Sequence, residues 1–419
     1  MNPTARPRLV VVYGHRSLDV MQIREGARGW CDLLWLVDGE DPAVVAVLPL
    51  LHRFGTVLDV LALSPGDAAA ALREHSPDGI ATFYDTGMEH VAAIATELGL
   101  PFNSPQTGRR LEDKLHQRGA LRAAGLPTPR AVELPAGSRR AEVDALASTI
   151  DFPAVLKPRR ASGSWHTFPV AGAAELGELW EELEREGPEA RLIEEYLPDG
   201  PPMPGGFEAD YVSIETIIVA GRMTHLAITG RFPLAPPLRE SGYFIPSTLG
   251  PEQQAQVLEV TGQALRALGV EVGCTHTEVK LTSEGPRVIE INGRVGGGVP
   301  DMLALSSGVA IVTLAMRAAL GLEPELRDLV PTDSVGYRFF AQPPESARRV
   351  LSVEGLELVR ALPGVQSVYL HHAPGTEIDA RHGTRAYVYA VVGRAADHAE
   401  VVAVEEFLRS AVKIAYDHD

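Results

Sequence analysis

One stretch, residues 274–298, constrains this chain more than any other: C-T-H-T-E-V-K-L-T-S-E-G-P-R-V-I-E-I-N-G-R-V-G-G-G. Cys274, His276, Glu278 and Lys280 alternate with Thr275, Thr277, Val279 and Leu281, and Glu290 and Asn292 alternate with Ile289 and Ile291. A period of two predicts strands. Ser283-Glu284-Gly285-Pro286 between them is turn chemistry, so the pair predicts a hairpin whose register, centred near residue 284, sets Glu278 opposite Glu290. Side chains directly opposed on one face stand only about 5 Å apart.

Carboxylates that close repel, which raises one pKa unless a cation shares the site. Glu278, Glu290 and the amide oxygen of Asn292 are hard oxygen donors, a set that suits magnesium, with manganese as a substitute, and leaves positions open for phosphate oxygens. Arg294 follows on a glycine-flanked exit where backbone can approach a ligand; its planar, permanent charge suits phosphoryl or carboxylate recognition. The alternative is a solvated glutamate ladder. Against it stand the apolar opposite face and the glycines of residues 293–298.

H-T-E-V-K followed by V-I-E-I-N-G-R-V-G-G resembles the metal and phosphate strands of ATP-grasp enzymes, and most of all the carboxylate-amine ligases that make dipeptides and related amides, such as L-amino acid ligases. The resemblance implies ATP and magnesium as cofactors, an acyl-phosphate intermediate, and release of ADP and phosphate. It puts Glu278, Glu290 and Arg294 at the catalytic centre and Gly297 and Gly298 beside the substrate. Two other readings stay open: a different ATP-grasp chemistry, biotin-carboxylase-like or purine-biosynthesis-like, and a nucleotide-binding protein without turnover.

A length of 419 residues suggests two or three domains. The expected fold is α/β and α+β: a doubly wound α/β domain over 1–106, an ATP-grasp domain over 107–330 with a small lobe near 130–197, and a C-terminal α+β module over 331–419. In the first, strands at 9–13, 33–37, 57–60 and 79–83 alternate with helices. Its first turn, Gly14-His15-Arg16-Ser17, lacks the spaced glycines of a dinucleotide fingerprint.

Lysine is scarce. Of 38 basic residues only Lys114, Lys157, Lys280 and Lys413 are lysine, so a retained lysine points to a need for a compact ammonium, as at a phosphate. Lys114, in a helix ending at Gly125, and Lys157, at the end of F-P-A-V-L-K-P, match the two phosphate-binding lysines that the resemblance implies; a solvated lysine is the ordinary alternative for the first. The loop holding Ser162, Gly163 and Ser164 occupies the place of the family's glycine-rich phosphate cover, where backbone amides form an anion nest. Trp165 or His166 stands where a second glycine is usual, leaving Trp165 to close the loop differently or to rest on a substrate.

The same resemblance makes residues 191–198 the hinge strand, with Glu194, Glu195, Tyr196 and Leu197 around adenine, and offers Asp210 or Glu215 to the ribose. Residues 231–246, with four prolines, read as an irregular loop building part of the acceptor pocket. There Glu240 and Arg239 are candidates for an amino group or carboxylate, with Ser241 and Gly242 beside them and loop solvation as the alternative; Glu240 or His276 is a candidate general base unless the amine arrives unprotonated. One helix is expected over 304–320. The C-terminal module is read as strands at 337–341, 365–371 and 385–392 around helices at 355–362 and 398–416.

A net charge of −17 argues against nucleic acid or anionic membrane as partners. No apolar run nears about 18 residues, so no membrane span is expected. M-N-P-T-A-R-P-R runs straight into L-V-V-V-Y, unlike a signal peptide, and two cysteines make no disulfide framework. The expectation is a cytoplasmic enzyme of small carboxylate and amine substrates, acting alone or as a homodimer.

Overall fold

The computed structural model describes residues 6–418. It opens with a four-stranded parallel sheet in the order Thr56–Asp59, Asp32–Val37, Arg8–Val12, Gly79–Thr82. The chain steps outward from Arg8–Val12 and then returns to its other side, which is doubly wound order. Both faces of the central strand are covered: Leu9 and Val11 join one apolar cluster, Val10 and Val12 another. A continuous apolar run is what such burial requires. Beyond the carboxyl ends of these strands, where ligand crevices form in α/β sheets, lie Arg16 and Asp85.

A second, antiparallel four-stranded sheet runs Ala131–Leu134, Arg191–Glu195, Ala154–Pro158, Phe168–Val170 over a core that includes Leu156 and Trp180. The third has eight strands. Its order is Gly285–Asn292, Gly273–Thr282, Tyr211–Val219, Arg222–Arg231, Gly242–Ile245, Val335–Phe340, Tyr389–Ala395, Val365–Leu370. The expected hairpin forms one end of it: only Ser283 and Glu284 separate the strands, Glu278 pairs with Glu290, and His276 with Asn292. The sheet runs on without a break into the carboxy-terminal strands. No single helix among the described residues is long and apolar enough to cross a membrane.

Several local expectations give way. The helix placed over 304–320 is two, Val299–Ser307 and Ile311–Ala319, bent by 112°, because Gly308 takes a left-handed φ of 73° that ends the first. The region 231–246 is not irregular throughout: the proline-free stretch after Pro237 holds the strand Gly242–Ile245, paired on both sides. The last helix stops at Ala411, and Lys413–His418 instead pairs with Ala347–Glu354, a strand the periodicity did not reveal. The strand read over 385–392 begins at Tyr389; a 3-10 turn, Ala380–Ala386, precedes it.

Candidate active site

A cavity of about 490 Å³ takes its lining from the four-stranded antiparallel sheet, the eight-stranded sheet and the loops beyond the parallel one. Lys114, Lys157, the 162–164 loop, residues 194–197, Glu240, His276, Glu278, Glu290, Asn292, Arg294, Gly297 and Gly298 all line it. Asp210, Glu215, Ser241 and Gly242 do not.

Local chemistry explains how each lysine comes to face inward. Asp113 breaks the lead-in into two helices, Pro105–Glu112 and Lys114–Ala123, and caps the second by accepting from the N–H groups of Leu115 (3.0 Å) and His116 (3.4 Å). Lys114 thereby starts a helix, and its buried ammonium reaches Glu290 Oε1 at 3.0 Å and the Ala161 carbonyl at 2.5 Å. Lys157 ends a fully buried strand and pairs with Glu194. Arg118 grips the same carboxylate, Nε to Oε2 at 3.1 Å and Nη2 to Oε1 at 3.3 Å, and donates to the Ile289 carbonyl at 2.5 Å.

Burial drives the Glu194 carboxyl upward, but Arg118 and Lys157 overcome it and leave the pKa at about 2. Burial lowers that of Lys157, with Arg118 and Lys114 adding to the effect against Glu194. The cluster holds three cations, Lys114, Arg118 and Lys157, against two carboxylates, Glu194 and Glu290. This arrangement corrects one detail of the hinge. Glu194 is no open acceptor for a base, and Glu195 is turned to Arg130, whose N–H and Nε donate to it at 3.0 and 2.5 Å.

Lys280 also lines the cavity, held by Asp199 (3.0 Å) and Asp210 (2.7 Å), which keeps Asp210 out of the lining. Lys413 lies exposed on the last strand. Three of the four lysines therefore face one space.

The loop over the cavity shows what replaces the missing glycine. Ser164 and His166 themselves adopt left-handed φ values of 56° and 46°, beside Gly163 at 67°. Such conformations persist in non-glycine residues only where the surroundings impose them. Here Trp165 is sandwiched between His166 and His382, ring centroids 4.8 and 4.7 Å away and nearly parallel, while the Arg16 guanidinium stands 5.3 Å from its ring. The His166 N–H donates to the Arg381 carbonyl and the Thr384 N–H to the Gly163 carbonyl, both at 2.9 Å. Gly383 permits this approach, since a Cβ there would lie 2.2 Å from the Gly163 oxygen.

On the hairpin, His276 Nδ1 lies 2.7 Å from Glu215 Oε1, and Nε2 lies 3.6 Å from Glu278 Oε1. Burial would lower the imidazole pKa; Glu215 and Glu278 instead raise it to about 9. Burial likewise pushes Glu278 up, and His276 and Arg231 pull it down to about 2. Glu215 is fully buried, takes further hydroxyl contacts from Ser213 and Thr229, and orients His276 from behind. The donor chemistry fits a hard divalent cation. Glu278 is held ionised, Glu290 faces it across the strands, and Asn292 adds an amide oxygen. Among the described residues no group of three His, Cys, Asp or Glu side chains could hold a metal ion.

Residues that sequence reasoning passed over complete the walls. Asp85 grips Arg294 through two contacts, Oδ1 to Nε at 2.9 Å and Oδ2 to Nη2 at 3.0 Å. Its position just past the Gly79–Thr82 strand was the available signal. Arg231, buried, pairs with Glu240 and lies 3.1 Å from His276 Nε2. Arg338, Tyr243 and Tyr387 also line the cavity, and nothing in their sequence context marked them.

Comparison with known proteins agrees with this geometry. Residues 150–301 match the ATP-grasp domain family, and residues 342–417 match L-amino acid ligase C-terminal domain 2. An uncharacterized protein of Sinorhizobium fredii is 27% identical over 357 residues, spanning 80% of this chain and 70% of that protein. Carnosine synthase 1 of Homo sapiens is 28% identical over 269 residues, spanning 59% of this chain; the match covers 31% of the synthase, about a third of its length. The crystal structure of an L-amino acid ligase from Bacillus licheniformis superposes with a TM-score of 0.77 at 22% identity, covering 99% of both chains, and shares the fold.

Proposed function

We infer, from a chain that belongs to the ATP-grasp amino acid ligases and carries an L-amino acid ligase C-terminal domain, that it joins an amino acid or related carboxylate to an amine with ATP, releasing ADP and phosphate. One observation carries the reading: Lys114 and Lys157, paired with Glu290 and Glu194, line a single cavity together with the opposed carboxylates Glu278 and Glu290. The match at residues 342–417 favours this over carboxylase or purine-pathway chemistry.

We assign Lys114 and Lys157 to the phosphates of ATP, residues 195–197 to the adenine, and the 162–164 loop to the cover. Glu278, Glu290 and Asn292 would hold magnesium, which when bound supplies positive charge to the phosphoryl oxygens. Lys114, now on Glu290, exchanges that partner for phosphate. A substrate carboxylate oxygen bonds to the γ-phosphorus as the bond to the bridging oxygen breaks, and ADP departs with that oxygen. The amine nitrogen then bonds to the acyl carbon and phosphate leaves. Arg294, fixed by Asp85, faces the oxygen on which charge develops. The amine's proton passes to Glu240, a carboxylate of the lining outside the metal set. Positioning and charge neutralisation carry most of such catalysis. We place the enzyme in the cytoplasm, where its two buried free thiols stay reduced.

The test is trapping. With ATP, magnesium, pooled carboxylates and hydroxylamine in place of the amine, the expected products are a hydroxamate, ADP and phosphate. Stoichiometric AMP and pyrophosphate would overturn the mechanism.

A further inference from the structure

We propose that Arg338 determines specificity on the amine side by anchoring the α-carboxylate of an amino acid acceptor, a group that stays ionised throughout the reaction. The proposal rests on the ligase reading above. Arg338 enters the cavity wall from the strand Val335–Phe340, paired in register with Tyr243. A Cβ built on Gly298 would stand 2.7 Å from its Nη1 and 2.9 Å from the Tyr243 hydroxyl, so the guanidinium abuts the glycine loop that follows Arg294. The Phe340 ring lies 5.2 Å from its Cζ.

Five arginines line this cavity; three are engaged elsewhere and a fourth is exposed. Glu240 holds Arg231, and Asp85 holds Arg294. Arg16 lies over Trp165 and donates to the Ser162 carbonyl at 3.4 Å, at the phosphate loop, and Arg385 is exposed to solvent. Arg338 makes no ion pair among the described residues, and its Nε is buried with no hydrogen-bond partner. It is set among Tyr243, Phe340 and Tyr387. Tyr387 meets the guanidinium and the Asp301 carboxylate acts on it from further off, but no carboxylate is in ion-pair contact with this permanent cation. A carboxylate seated on its planar fork supplies both the charge and the missing acceptor.

Two carboxylates meet in a ligation of two amino acids. The donor's is consumed as acyl phosphate and belongs beside Arg294, Glu278 and Glu290. The acceptor's survives into the product, and Arg338 is the solvent-shielded arginine of the lining left to receive it.

The experiment first finds an active pair by ADP release from the twenty L-amino acids in pairwise combination, then compares that acceptor with its primary amide. Wild type should favour the acid over the amide by roughly tenfold to a hundredfold in kcat/KM, mostly through KM, as expected for charge-assisted hydrogen bonds. In Arg338→Ala that ratio should fall close to one. Arg338→Lys keeps the charge without the fork, should give an intermediate ratio, and carries the test should the alanine variant not fold. A wild type that accepts the amide as readily as the acid overturns the proposal before any variant is needed. So does a variant that keeps the wild-type ratio. Loss of the hydroxamate reaction in Arg338→Lys, where no acceptor carboxylate is present, would give the contact to the donor instead. ADP release with no pair at all sinks the ligase reading itself, a result distinct from each of these.

Discussion

Replacing Glu194 by glutamine keeps the shape of a buried carboxylate of the cavity lining and removes its charge. Lys157 and Arg118, both buried, then share no anion, while Arg118 still holds the Ile289 carbonyl on the metal hairpin. The lowering of the Glu194 pKa from 4.5 to about 2 corresponds to roughly 3 kcal/mol. Breaking one side of a buried ion pair generally costs about 3–5 kcal/mol, so the two agree in order of magnitude. Part of the loss is offset because Lys157, its pKa already lowered by burial, sheds its proton more readily once the anion is gone. A fall in thermal midpoint of about 5 °C is expected at pH 7, read by differential scanning calorimetry. The pH dependence has a definite sign. A carboxyl whose folded pKa is depressed stabilises fully above its unfolded pKa and loses that contribution as pH falls through the folded value. The gap between wild type and variant should therefore be full at pH 7, shrink below about pH 4.5 and close towards pH 2. Saturating ADP with magnesium should narrow it at pH 7, because phosphates supply the missing charge. Equal midpoints at pH 7, or a gap still full at pH 3, would refute the reasoning.

Glu290→Gln should abolish ADP formation with the fold intact, since an amide cannot neutralise a divalent ion; near-normal turnover at ordinary magnesium would remove Glu290 from the metal set. Lys157→Ala should weaken ATP binding by tenfold or more in calorimetric titration, a rough expectation for one charge-assisted contact, whereas Lys413→Ala on the exposed last strand should bind as wild type. Equal affinity in both variants would show that lysine scarcity carries no functional information here.

The hairpin was legible because a period of two and one turn fix which side chains oppose each other, and Glu278 does pair with Glu290. The parallel sheet was legible because a strand buried on both faces must be apolar throughout. Local pattern says nothing of long-range charge pairing, however. That Asp85 would grip Arg294, or Arg118 seize Glu194, depends on contacts across 209 and 76 residues. The final strand was hidden for a related reason: K-I-A-Y-D-H continues a helical pattern until a partner, Ala347–Glu354, is there to pair with it. How the 162–166 loop closes stays open in the sequence, between Trp165 closing it differently and Trp165 resting on a substrate, and the stacking of Trp165 on two histidines shows the first. Glycine is the easy route to left-handed backbone, and Ser164 and His166 reach it only because Trp165 is clamped from both sides.

Thr384 joins two regions that chemistry would treat separately. Its N–H holds the Gly163 carbonyl on one side at 2.9 Å, and its hydroxyl accepts from the Glu240 N–H on the other at 3.2 Å. Gln342 ties the Glu240 and Thr384 carbonyls together at 2.7 and 2.9 Å. The 162–164 loop and the wall that carries Glu240 therefore share one anchor, so a change at Thr384 reaches both. Ala380–Ala386, the seven-residue segment that holds Thr384, is thus a single tie between two walls of the cavity.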